Sequence, residues 1–491
     1  MRNQILALLT ACLSLTAVAQ PDKQLTDATV SKAKIESHIR FLASDELRGR
    51  DTPSPEQRIA ALYLATQLQS YGVKPLAAHP DYLQPVAMKI QSRPQEVAVT
   101  YGDKSFKGSE NSLLINGANM DAQAEAVFLD FGTEEDFKKA DVKGKIVFVR
   151  AGSVTDSDPR QWFFLGSEKR KRAAAKGAVA LVEFYNNPQL PWKVLVGYLR
   201  AERATLDNEA TEPPLAHVWL HDVTAKEVGF WNTKKKTKAS VKVAGMAVRK
   251  FTTYNVVGYT EGGDARLKNE YVVYSAHYDH IGIGKANAEG DTIYNGARDN
   301  AVGTVTVLSA AENLAKHPTK RSALFVLFTG EEKGLLGSNW FVEHPPLDLR
   351  KMVYCFNSDN AGYNDTTVAT IVGLGRTTAE NHIKTACQAY NLTAIDDPVP
   401  EQNLFDRSDN VNFAKKGIPA PTFSLGLTAF DGEVTKHYHQ ASDQWNTLNY
   451  SYLYKFFSSY VYACRLIGNA PERPFWKPGD KYHEAGIKLY Q

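Results

Sequence analysis

Ala323-Leu324-Phe325-Val326-Leu327-Phe328-Thr329-Gly330-Glu331-Glu332-Lys333-Gly334 is the stretch on which the reading of this chain turns. Its opening run is among the most apolar in the sequence and stops at a glycine, the pattern of a short strand buried on both faces. Two adjacent carboxylates then stand at the end of that strand, where they repel each other unless a cation is near. A solvated turn with acids close to a helix N-terminus would also place them there. The flanking glycines and the position at the strand end favour a site.

Working outward, strands and helices alternate from Asn255 to about Leu466. Strands are expected over 271–276, 323–329, 352–356 and 422–425, with helices over 301–315, 335–343, 378–389 and 452–467. That alternation predicts an α/β fold, a mainly parallel mixed sheet sandwiched by helices. Two helices are expected between residues 29 and 71. Ile59, Leu62, Leu64 and Leu68 mark the apolar face of the second, which closes at Gly72. Between about Tyr82 and Val248 the pattern changes to short alternating runs such as Val97-Ala98-Val99-Thr100-Tyr101, with one helix near 167–176. This reads as an inserted, mostly β domain without catalytic residues of its own. The expected organisation is a signal peptide at 1–19, a helical start to the catalytic domain at 20–85 and the insertion at 86–249. The rest of the catalytic domain follows at 250–470, with a surface tail at 471–491.

Other metal-binding side chains fall at the same ends of the predicted strands, where open α/β sheets bind ligands. His277 directly follows a strand. Asp279 lies two residues on, placed to hold the His277 ring in the right tautomer. Asp299 sits just before a helix and, read alone, fits an ordinary N-cap as well. Asp359 follows the strand at 352–356. His439 alone would be an unremarkable structural histidine. Together His277, Asp299, Glu332, Asp359 and His439 suit two Zn2+ ions, which bind imidazole nitrogen and carboxylate oxygen. Asp299, the middle carboxylate, is the natural bridge. Glu331 is placed to take a proton from water and pass it to a leaving amine, and a phenol such as Tyr438 could stabilise an oxyanion.

His277-Tyr278-Asp279-His280, Asn295-Gly296-Ala297-Arg298-Asp299-Asn300, Gly330 to Ser338 and the Tyr438-His439…Asp443 segment resemble those of the secreted di-zinc aminopeptidases. These are the aminopeptidase Y and glutamate carboxypeptidase II-like metallopeptidases. The resemblance extends more loosely to Phe41-Leu42-Ala43-Ser44-Asp45-Glu46-Leu47-Arg48-Gly49-Arg50. It implies a zinc-exopeptidase-like (phosphorylase/hydrolase-like) fold, and a protease-associated domain for the insertion. It also implies His277, Asp299 and Asp359 on one zinc, and Glu332, Asp299 and His439 on the other. Glu331 would be the general base, Tyr438 the oxyanion stabiliser, and Asp279 a partner of catalysis. The peptide bond before Asn300 would be cis. Asp443, Arg407 and Asp409 would support the site or meet substrate. Asn410 stands where the family commonly has His, and Val302 where it has Ser. The implied activity is removal of N-terminal residues from peptides by metal-bound hydroxide. A glutaminyl cyclase-like acyltransferase or a carboxypeptidase on the same fold, and a non-catalytic binding protein, are the alternatives.

The chain has 491 residues, 43% of them hydrophobic and 23% charged, with a net charge of +3. This composition fits a globular protein of two domains and offers no electrostatic case for nucleic acid. Arg2, the apolar run Ile5 to Val18 and Ala17-Val18-Ala19 read as a cleavable signal for export to the periplasm or outside the cell. The apolar run is about 14 residues, short of the roughly 20 that span a bilayer. Leu9-Thr10-Ala11-Cys12 offers a lipoprotein alternative. No membrane span is expected, and oligomeric state is not legible. Cys355 and Cys464 lie in apolar runs and read as buried thiols.

Overall fold

The computed structural model describes residues 21–155, 159–199, 202–207, 215–222, 226–232 and 236–491. The expected signal segment, including Cys12, lies outside them. The chain divides into two compact units: one up to Ala87 and from Thr252 to Gln491, the other Met88–Phe251.

In the larger unit the sheet runs Thr393–Ile395, Val368–Val372, Thr422–Ser424, Met352–Ser358, Tyr271–His277, Ser322–Phe328, Val248–Thr260 and Leu83–Gln91. Tyr271–His277 is parallel to both neighbours, and Met352–Ser358 is parallel to Thr422–Ser424. Val248–Thr260 and Val368–Val372 pair antiparallel with their neighbours Ser322–Phe328 and Thr422–Ser424. The sheet is therefore mixed with a parallel centre. Ser322–Phe328 explains its own composition: Ala323, Phe325 and Leu327 enter one core, Leu324, Val326 and Phe328 the other. The first core is closed by the helices Lys32–Leu42, Pro55–Tyr71, Gly303–Lys316, Glu380–Ala389 and Tyr450–Asn469. The second is closed by Leu336–Glu343 and Asn410–Lys415.

Several expectations need correction. Ile59 and Leu62 are 49% and 46% exposed. Pro55–Tyr71 instead buries Gln57, Ala60, Ala61, Leu64, Ala65 and Leu68, a face of small residues that lets the helix approach closely. Val368–Val372 and its edge neighbour Thr393–Ile395 were not expected. The first is buried along its whole length, with no alternation to separate it from helix, and the second has only three residues. The C-terminal segment, expected as a tail packed on the surface, is anchored by a buried tryptophan and ends in a helix. Trp476 is 1% exposed and donates through Nε1 to the Gly417 oxygen at 3.0 Å, and His483–Tyr490 is helical.

The smaller unit holds an eight-stranded sheet. Its strands Met120–Phe128, Ile146–Arg150, Ala180–Tyr185 and Ala216–His221 are parallel. Parallel strands need crossovers. Accordingly the expected single helix is longer, Pro159–Ala175, and is joined by Glu134–Lys139 and Trp192–Tyr198. Among the described residues no helix is long and apolar enough to cross a membrane.

Candidate active site

The central parallel strands end along one edge of the sheet, which brings the loops after them together. His277 is the last residue of its strand and is 1% exposed. Its Nδ1 lies 3.1 Å from the main-chain oxygen of Asp279. A carbonyl only accepts, so in the neutral ring Nδ1 carries the proton and Nε2 presents its lone pair to the site. The Asp279 carboxylate, expected to do this, stands 3.8 Å off. The strand ends at His277, so the two-residue rule of extended chain does not carry across the turn. The carboxylate instead accepts from the Glu331 N–H at 3.2 Å and the Thr52 hydroxyl at 3.1 Å. Burial pushes its pKa up to about 6.

Asp299 turns its two oxygens to two histidines: Oδ1 is 3.3 Å from His277 Nε2, and Oδ2 is 3.0 Å from His439 Nε2. Asp359 Oδ1 is 3.1 Å from His277 Nε2, and Glu332 Oε2 is 3.5 Å from His439 Nε2. Asp299 does not serve as the N-cap. The Gly303 N–H is received by the Asn300 side chain at 3.0 Å, leaving the Asp299 carboxylate free. The Asp299–Asn300 peptide is cis. Asp443 fixes this turn, accepting from the N–H groups of Arg298 and Asp299 and from Arg298 Nη1 at 3.0 Å.

One residue was not anticipated as part of the site. His280 is fully buried, with Nδ1 2.7 Å from Glu332 Oε1 and 4.0 Å from Asp299 Oδ1. Among the described residues both its ring nitrogens and Glu332 Oε1 lack a hydrogen-bond partner despite that proximity. The only signal in the sequence is a second histidine closing the motif that His277 opens.

Of the remaining candidates, Tyr438 stacks on the His439 ring at 4.1 Å and receives Arg407 Nη2 at 3.3 Å. Arg407 is exposed. Asp409 is not at a substrate-facing surface: it is fully buried, and burial raises its pKa to about 7.

Two groups of ligand atoms converge, His277 with Glu331 and Asp359, and His280 with Asp299 and Glu332, each within 4.8 Å. The electrostatics describe a place built for positive charge. Burial disfavours a charged His277, yet Asp359, Glu331 and Asp299 hold its pKa well above the ordinary value. Burial likewise opposes His439, and its bond to Asp299 raises it to about 9. Burial pushes Glu331 well up, with Asp359 and Glu332 adding to the effect and His277 opposing it. Divalent cations supply the charge those protons supply, and metal ligation releases them. With the unpartnered atoms of His280 and Glu332, this nitrogen and oxygen donor set fits zinc.

Residues 255–463 match the family model described as peptidase family M28, and residues 114–223 match that of the PA domain. The "probable leucine aminopeptidase 2" of Aspergillus oryzae is 24% identical over 390 residues, covering 74% of this chain and 71% of that protein. "Aminopeptidase YwaD" of Bacillus subtilis is 26% identical over 322 residues, covering 64% and 60%. In fold, the chain is similar to an aminopeptidase from Aneurinibacillus sp. strain AM-1. The TM-score is 0.59 at 22% identity, over 94% of this chain and 98% of that one. The match runs across the site-bearing loops, so residues 255–463 are similar to peptidase family M28, and the segment that leaves and re-enters the larger unit is similar to a PA domain.

Proposed function

We propose that this chain is a di-zinc aminopeptidase, exported by its N-terminal segment, that removes single residues from the free N-terminus of peptides. The observation that carries the reading is the Asp299 carboxylate, which faces His277 with one oxygen and His439 with the other. His277, Asp299 and Asp359 would hold one zinc, and Glu332, Asp299 and His439 the other. Two such ions polarise a carbonyl and make water acidic enough to attack at neutral pH.

The chain's own residues do the rest. Glu331, whose main-chain N–H is anchored on Asp279, accepts the proton of the attacking water. Burial raises its carboxyl above the ordinary carboxylate range, which makes it a stronger base for that task, and the proton it takes would then pass to the leaving amine. Tyr438 donates its hydroxyl proton towards the developing oxyanion, and the Arg407 N–H on its oxygen strengthens it as a donor. Glu331 and Asp359 together offer carboxylate oxygens to a substrate ammonium. Relatives named for leucine make leucine p-nitroanilide the first substrate to try.

The test compares leucine p-nitroanilide with its N-acetyl form and with an N-blocked dipeptide. Cleavage of the free-amine compound alone supports the proposal. Release of a C-terminal residue from the blocked dipeptide would make the enzyme a carboxypeptidase, with Arg407 as the group that binds the terminal carboxylate. Cyclisation of an N-terminal glutamine, with no hydrolysis, would make it an acyltransferase.

A further inference from the structure

The segment Phe41 to Arg50 carries part of the family resemblance and, so far, no role. It ends as a 3-10 stretch, Asp45–Arg50, in which Arg48, Gly49 and Arg50 all have positive φ. Arg50 is 1% exposed, which is unusual for an arginine. Among the described residues no carboxylate forms an ion pair with it. Among the described residues its hydrogen bonds all end on main-chain carbonyls: Nε on Tyr278 at 2.8 Å, Nη1 on Leu42 and on Asn295 at 2.7 Å, Nη2 on Gly296 at 3.1 Å.

Those carbonyls are not scattered. Tyr278 lies between His277 and Asp279, and Asn295 and Gly296 open the turn that presents Asp299. One planar guanidinium therefore ties together the two loops that carry His277 and Asp299. Its neighbours continue the pattern. The His280 N–H meets the Arg50 oxygen at 3.4 Å. The Thr52 hydroxyl donates to Asp279 Oδ2 at 3.1 Å, and Asp51 pairs with Lys333, the residue after Glu332, at 2.5 Å. The apposition leaves no slack, since a Cβ on Gly49 would come 2.5 Å from the Tyr294 oxygen and 2.6 Å from that of Gly282. Lysine could keep the charge, but it has one point of attachment where the guanidinium has a planar fork.

We propose that Arg50, supported by Thr52, is a positioning residue that sets the spacing of the His277 and Asp299 loops, and so the affinity and geometry of the metal site. The proposal rests on the metal site described above but not on which substrate it serves. A guanidinium at this place also puts a positive charge behind four carboxylates, Asp279, Asp299, Asp443 and Glu332, which would otherwise crowd together before metal arrives.

The test measures zinc dissociation constants by chelator competition, and the visible spectrum of the cobalt-loaded protein, for the full chain and for Arg50→Lys, Thr52→Val and Leu64→Ala. Leu64 is a fully buried core residue of Pro55–Tyr71, and its variant reports what simple destabilisation does. Arg50→Lys should weaken zinc binding and lower kcat by about 10- to 100-fold, with KM within about twofold, and should alter the cobalt spectrum. Leu64→Ala should lower Tm and move none of these. Metal affinity and cobalt spectrum within about twofold of the parent in Arg50→Lys would overturn the proposal, as would losses that Leu64→Ala reproduces. If Arg50→Lys yields no folded protein, Thr52→Val decides by the same readouts: weakened zinc binding supports the clamp, and unchanged binding refutes it. A parent enzyme that binds zinc but cleaves no free-amine substrate would sink the proposed activity and leave the metal readouts to judge the clamp.

Discussion

Glu331 and Glu332 are neighbours in sequence with divided duties. Glu332 faces His439 and His280, while Glu331 groups with His277 and Asp359 and is raised in pKa by burial. Glu331→Gln keeps the shape and removes the proposed base. It should lower kcat by about 100- to 10,000-fold while zinc content stays at the parent level; equal loss of zinc and activity would make Glu331 a ligand instead. His280 makes the opposite prediction. Its buried, unpartnered ring beside Glu332 positions or extends the ligand set, so His280→Ala should weaken zinc binding by about 10- to 100-fold, read by chelator competition. The convergence of His277, Glu332 and Asp359 was legible in the sequence because each, a side chain able to bind metal, follows an apolar strand. His280 and Arg50 were not, because their roles come from loops that approach only in the folded chain.

Among the elements, the turn Ala297–Val302 is the one that carries Asp299 into the site. It is held from outside by Asp443, whose carboxylate receives two main-chain N–H groups and the buried Arg298 guanidinium. Asp443→Asn should cost about 3–5 kcal/mol of stability, because it leaves a buried cation without its partner. The same variant should reduce zinc affinity, since Asp299 rides on that turn. Unfolding by denaturant and metal titration check the two effects separately. The strands Tyr271–His277, Ser322–Phe328 and Met352–Ser358 were legible because burial on both faces writes continuous apolar runs. The face of Pro55–Tyr71 is only half legible: Leu64 and Leu68 are buried as expected, but the rest of its core side is largely alanine, while Ile59 and Leu62 look outward. Hydrophobic spacing follows bulk, and close helix packing selects for its absence.

At the scale of the molecule, the two units carry different chemistry. The smaller one buries a charged cluster: Glu183 lies 3.1 Å from Lys169 Nζ and 3.3 Å from His217 Nε2, and accepts the Trp219 indole N–H at 2.5 Å. Burial would raise the Glu183 pKa, but Lys169 and His217 outweigh it and hold it below the usual 4.5. A depressed carboxylate contributes stability that is fully present above its unfolded pKa and is lost as pH falls through the folded one. Calorimetry of the whole chain should therefore show an unfolding transition that weakens below pH 4.5, and Glu183→Gln should lower it already at neutral pH. An acid-insensitive transition would argue against that pairing.

The central claim concerns the larger unit, two zinc ions sharing Asp299 with Glu331 as base, and its most direct test is to add zinc back to metal-free protein while following leucine p-nitroanilide hydrolysis. The account predicts that activity rises to a plateau at two equivalents per chain, and that Glu331→Gln binds the same two without gaining activity. Full activity in metal-free protein, or two bound zincs with no hydrolysis of any free-amine substrate, would contradict it.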